Sequence, residues 1–172
     1  MGSCQIGLNY HRNSFVPHKS FLYYARVARA PNSQTFMKRI PEALKVLQGH
    51  AKRLVEGEVS VSDLLITKQL SYDPNDYAHD VFQAIAAKQL LREGVDISAG
   101  QTVRYLITNA TSKRADRRVR VAELTGTEAR YDVKKHLEFL LSAAANILSP
   151  FTYTFDKLHS LVLHGGDQVK LN

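Results

Sequence analysis

Five cations, Lys113, Arg114, Arg117, Arg118 and Arg120, fall within the eleven residues TSKRADRRVRV (Thr111–Val121), opposed by the single acid Asp116. The chemistry open to such a stretch is attraction of phosphate, because ammonium and guanidinium groups neutralise a polyanion and displace its counterions. Spacing alone leaves two readings, a solvated basic loop or a surface laid along a phosphate backbone. The alternation around Val119 and Val121 equally fits a half-buried strand with a wet basic face. Other groupings offer less. Two-metal phosphoryl transfer needs carboxylates held close together, whereas Asp73 and Asp76 flank Pro74 in a turn and Asp80 follows at the start of a helix, the ordinary places for such residues. Seven histidines lie at positions 11, 18, 50, 79, 136, 159 and 164 with no ligand spacing beyond the loose pair His159 and His164. There is no glycine-rich phosphate loop, no HExxH and no Gly-x-Ser-x-Gly elbow.

These residues need elements to position them, and 172 residues are enough for one domain with a real core. Hydrophobic residues make up 44% and charged residues 23%, both in the globular range. The net charge of +7 favours anionic partners, nucleic acid first and an anionic membrane surface second. No stretch approaches the roughly 18 apolar residues that span a bilayer, and no continuous apolar signal core opens the chain, so the expectation is a soluble, cytoplasmic protein. The lone Cys4 excludes an internal disulfide framework and a cysteine-cluster zinc site.

Residues 1–31 mix aromatics and cations without sustained order. Ser33 is expected to cap a short helix, and Pro41 to open a second one running to about Glu56, with Leu44, Leu47, Ala51, Leu54 and Val55 as its apolar stripe and Gly57 as its stop. SVSDLLITKQLS reads as a turn and a strand, and YAHDVFQAIAAKQLLREG as a helix ended by Gly94. A strand through Val103, Tyr105 and Ile107 leads into the basic stretch. RYDVKKHLEFLLSAAANIL forms a last long helix, stopped at Ser149-Pro150 and followed by a short aromatic coda and a frayed terminus. The fold class is α+β, mostly α-helical: three or four helices around a small antiparallel sheet.

The order of these pieces carries a resemblance. LLITKQLSYDPNDY (Leu64–Tyr77), QAIAAKQL (Gln83–Leu90), EGVDISAGQTVRYLI (Glu93–Ile107), SKRA (Ser112–Ala115), AEL (Ala122–Leu124), RYDV (Arg130–Val133) and ILSPFTYTFDKL (Ile147–Leu158) together resemble the thumb region of archaeal-type family B DNA polymerases. The family usually has glycine where Thr152 stands and proline where Phe82 stands. Its nucleotide-binding motif, its Asp-Thr-Asp metal-binding context and its proofreading carboxylates have no counterpart here.

The resemblance implies an incomplete palm-like segment at 1–31, a thumb domain at 32–160 and a tail at 161–172. It implies a grip on primer–template DNA through phosphates and sugars, an interaction that carries no sequence preference, and inactivity without a partner chain bearing palm and fingers. Magnesium would then be needed only in that partner, and no cofactor in this chain; location would be intracellular and nucleoid-associated, with no membrane partner. The residues implied to touch DNA are Lys68, Gln69 and Ser71 after a strand, Gln83 near a helix N-terminus, Ser112, Lys113, Arg114 and Arg117 in the basic loop, and Arg130, Tyr131 and Lys134 at the start of the last long helix. A structural reading stands beside this for Tyr131 and Asp132, as core packing and helix capping. The alternative function is a stand-alone nucleic-acid-binding or interaction module descended from a degenerate polymerase.

Overall fold

A computed structural model of the chain describes residues 32–164. Residues 1–31, the expected palm-like segment, and the terminal stretch from 165 lie outside them. The described residues form two compact units: one combines the segment up to Glu58 with the segment from Leu137 onward, and the other is Val59–His136.

In the first unit, α1 (Ser33–Glu56) runs as one helix of 24 residues, not as the two expected. Asn32, not Ser33, caps it, accepting the amide of Thr35 at 2.8 Å. Pro41 lies inside and has no N–H to return to the carbonyl of Met37. That turn is wet, with Met37 57% exposed, so water can take the bond and the helix continues. Phe36, Ile40, Ala43, Leu44, Leu47, Ala51 and Leu54 form the buried stripe; Val55, expected within it, is 59% exposed. Gly57, at φ 76°, ends the helix in a left-handed conformation that a Cβ would strain. From Leu137 onward, α4 (Val133–Leu148) buries Leu140, Leu141, Ala144 and Leu148.

The expected aromatic coda is instead a 3-10 turn at Ser149–Phe151 and a helix, α5 (Phe155–His164), which continues past the expected boundary at 160. It is seated by buried Leu158 and by a bond from Gln48 Nε2 to the carbonyl of Leu161 at 3.3 Å. Phe36 and Phe151 stack at 4.4 Å. Thr152, the residue in the family's glycine position, keeps a glycine-like backbone at φ 66°, a conformation that costs an L-residue roughly 1–2 kcal/mol.

The second unit is a three-stranded antiparallel sheet in the order β1 (Ile66–Gln69), β2 (Thr102–Ile107), β3 (Val119–Val121), with α3 (Phe82–Arg92) packed on it. The run expected as a turn and a strand forms a one-turn helix, α2 (Val61–Leu64), with Leu64 fully buried, and after the extended Leu65 the strand β1. Register pairs Ile66 with Tyr105, Lys68 with Val103, Tyr105 with Val121 and Ile107 with Val119. Paired residues share a face, so this inner face carries the apolar residues; α3, which packs on the sheet, buries Ala84, Ile85, Ala86, Ala87 and Leu90. The β1 end of the sheet is closed by reciprocal 2.8 Å bonds, Leu70 N to Gln101 O and Gly100 N to Leu70 O, with Asp73 Oδ1 accepting Ala99 N at 2.7 Å. The fold is thus α+β, mostly helical, with a small antiparallel sheet.

Candidate nucleic-acid interface

The basic stretch leaves β2 after Ile107 and returns as β3, so it caps the opposite end of the sheet. It is laced from inside: Thr108 N donates to Arg118 O at 3.0 Å, Thr108 Oγ1 to Arg117 O at 2.8 Å, and Arg118 Nε to Ser112 O at 2.8 Å. A 3-10 turn at Ala115–Arg117 precedes β3, whose Val119 and Val121 are buried and whose Arg120 is exposed, the half-buried strand with a wet basic face.

Two side chains outside the stretch fix it. Asp132 caps α4, its Oδ1 accepting Lys135 N at 2.9 Å, while Oδ2 accepts Ala110 N at 2.7 Å and its own amide donates to Ile107 O at 2.9 Å. One carboxylate therefore ties the end of β2, the loop and the helix together. Gln89, in α3, places its Oε1 2.9 Å from Val121 N and donates through Nε2 to Val119 O at 2.9 Å and Asp116 O at 3.1 Å. Val119 and Val121 lie two apart, so their free backbone groups point to the side of β3 away from β2. The Gln89 amide supplies there the bonds a fourth strand would have made.

The fixed stretch presents its cations unequally. Arg114 donates to Asp116 Oδ2 at 3.2 Å, which holds the Asp116 carboxyl below its usual range. Arg118 is committed to Ser112. Lys113 and Arg117 are exposed and form no ion pair among the described residues, though the charge of Arg117 adds to the pull that lowers the Asp116 carboxyl. Arg130 and Lys134 are exposed on the chain entering α4, whereas Tyr131 is half-buried, edge-on to His136 at 5.8 Å, and burial raises its phenol's pKa.

The other expected contacts lie elsewhere. Gln69 sits at the far end of the sheet, donating to Gly100 O at 2.8 Å, and the Ser71 amide is bound by the Tyr77 hydroxyl at 2.8 Å. Lys68 and Gln69 face opposite sides of β1: Lys68 is on the inner face opposite Val103, half-buried, its ammonium pKa lowered by desolvation. Gln83 is half-buried in the first turn of α3. Sequence reasoning passed over Gln89, Arg104 and the clamp role of Asp132. Arg104 had a signal, as an exposed position in an alternating strand; Gln89 had none.

His136, in the first turn of α4, is 2% exposed, and burial pushes its imidazole down to about 4, against the opposing pull of the Ile107 backbone and Asp132. The unfolded chain takes up this proton near 6.5 and the folded chain only near 4. The contribution to stability is therefore complete above pH 6.5 and lost as pH falls toward 4. Between pH 7.5 and pH 5.0 it is expected to cost about 2 kcal/mol. Urea melts at the two pH values measure it, and His136→Leu should shrink the difference by that amount; an unchanged difference would contradict the assignment.

Residues 10–151 match the family described as DNA polymerase family B. The chain belongs to that family. Among its relatives, the DNA polymerase of Thermococcus sp. (strain 9oN-7) is 28% identical over 120 residues, covering 69% of this chain and 16% of that protein. The DNA polymerase of Methanocaldococcus jannaschii is 35% identical over 78 residues, 45% of this chain and 5% of that protein. A similar fold occurs in the family B DNA polymerase from the hyperthermophilic archaeon Pyrobaculum calidifontis, with a TM-score of 0.59 and 22% identity over 75% of this chain and 17% of that one. This family B chain thus spans less than a fifth of the length of these relatives.

Proposed function

We propose that this chain is the thumb part of a family B DNA polymerase, gripping primer–template duplex through its phosphate backbone, and that nucleotide addition needs a separate palm and fingers. Magnesium would serve there, and no cofactor is needed in this chain. The work would be done inside the cell, at the nucleoid. Family membership supports this reading. The observation that carries it is the basic segment itself: Lys113 and Arg117 are exposed on a loop whose backbone is fixed by Asp132 and Gln89. A loop whose backbone is already held gives up little further freedom on meeting a phosphate, and each neutralised phosphate releases counterions. The Arg114–Asp116 pair is exposed and worth little, so Arg114 can exchange its carboxylate for a phosphate.

The test is fluorescence anisotropy with a labelled DNA duplex across a sodium chloride series. Affinity should fall steeply with salt, and Lys113→Ala and Arg117→Ala should each lower the log–log slope by about 1. Absence of binding with the catalytic region present, or a salt-independent affinity, would overturn the proposal. A preference for single strands or RNA would favour the stand-alone module.

A further inference from the structure

The outer face of the sheet, left by α3, carries Thr67 opposite Arg104, Gln69 opposite Thr102 and Arg120 opposite Leu106. Leu106 is fully buried, and the other five are exposed. Arg104 and Arg120 are diagonal neighbours, about 7 Å apart at the backbone. Arg104 has no acidic partner among the described residues. Arg120 donates through Nε to Leu124 O at 2.6 Å, a bond that orients the guanidinium and leaves its outer N–H groups uncommitted. Glu123, in the adjacent turn, pairs with neither arginine.

Two like charges side by side on a strand pair repel, and neither is needed to fill a core. A bound polyanion would reverse that cost. The position of the pair matters as much. Gln69 and Ser71 lie at one end of β2, and Ser112–Arg117 at the other. Thr102 and Ile107 are about 17 Å apart along the strand, the length of roughly five base steps at ~3.4 Å each. Arg104 and Arg120 lie between the two ends, with hydroxyls and an amide beside them, the donor set that meets phosphate and sugar oxygens.

We propose that this outer face is a nucleic-acid contact surface, on which Arg104 and Arg120 bridge the basic loop to the Gln69 end so that one strand of a duplex lies across the sheet. The inference rests on the duplex-binding reading above and assigns it a surface and two residues. The experiment compares the full chain with Arg104→Gln/Arg120→Gln in the same anisotropy series, folding being checked by circular dichroism and thermal melting. The double variant should bind duplex roughly tenfold more weakly at 100 mM salt, with the log–log slope smaller by about 2. Arg120→Lys, which keeps the charge and loses the Nε bond, should retain the slope; its loss would assign Arg120 a structural role and overturn the bridge. A folded double variant with unchanged slope, while Lys113→Ala still lowers it, would overturn the outer face alone. A wild-type chain without duplex binding would overturn both. Loss of affinity for poly-L-glutamate equal to that for duplex would point to an acidic protein partner, and would also overturn the proposal.

Discussion

Replacing Asp132 with alanine is expected to destabilise the chain by about 4 kcal/mol, the sum of a lost helix cap and a part-buried amide left without its charged acceptor. The carboxylate meets Lys135 N and Ala110 N with different oxygens, so the two losses are separable. Asp132→Asn keeps one acceptor oxygen and turns an NH2 toward the other amide. It should recover about half of the loss, since one of the two bonds must still fail. Urea denaturation gives the stabilities, and hydrogen exchange at Ala110 against Lys135 shows which bond the asparagine keeps. Full recovery in the asparagine variant would refute the two-oxygen clamp.

Replacing Gln89 with leucine, similar in size but without donors or acceptors, should cost about 3 kcal/mol, because the Val121 N–H and two carbonyls lose their partner together. Gln89→Glu is the sharper test. It preserves shape and the acceptor for Val121, but sets a carboxylate against the carbonyls of Val119 and Asp116. It should be at least as unstable as the leucine variant at pH 7 and recover as acid restores a proton. Thermal melts of the three proteins at pH 5 and 7 give the order, and a glutamate variant as stable as wild type would exclude the bonding described.

QAIAAKQL displays its helical period openly, and burial of Ala84, Ile85 and Ala87 follows from it. Which backbone groups of β3, about thirty residues beyond Gln89, remain unpaired depends on its register with β2, and no local pattern encodes it. The strand alternation of TVRYLI was legible for the same local reason as the helix, and so was the basic face of Val119–Val121. The opposite facing of Lys68 and Gln69 was equally available from the period of two, but grouping them by motif concealed it. Helix limits near Pro41 were misjudged because tolerance of an internal proline depends on whether its orphaned carbonyl meets water, a property of the folded surface. The tie between the basic loop and the start of α4 depends on Asp132, whose capping of α4 was foreseeable and whose reach to Ala110 was not.

The division of the chain bears on its synthesis. Val59–His136 is one uninterrupted segment, whereas the other unit joins stretches from either side of it. Emerging from the ribosome, the sheet and α3 can close on contacts of modest sequence separation, while α1 must wait for the residues of α4 and α5 that complete its core. Loop-closure entropy makes such distant partners slower to find. During that interval the apolar stripe of α1 is exposed to other chains and calls for a chaperone, while the sheet and α3 are already formed.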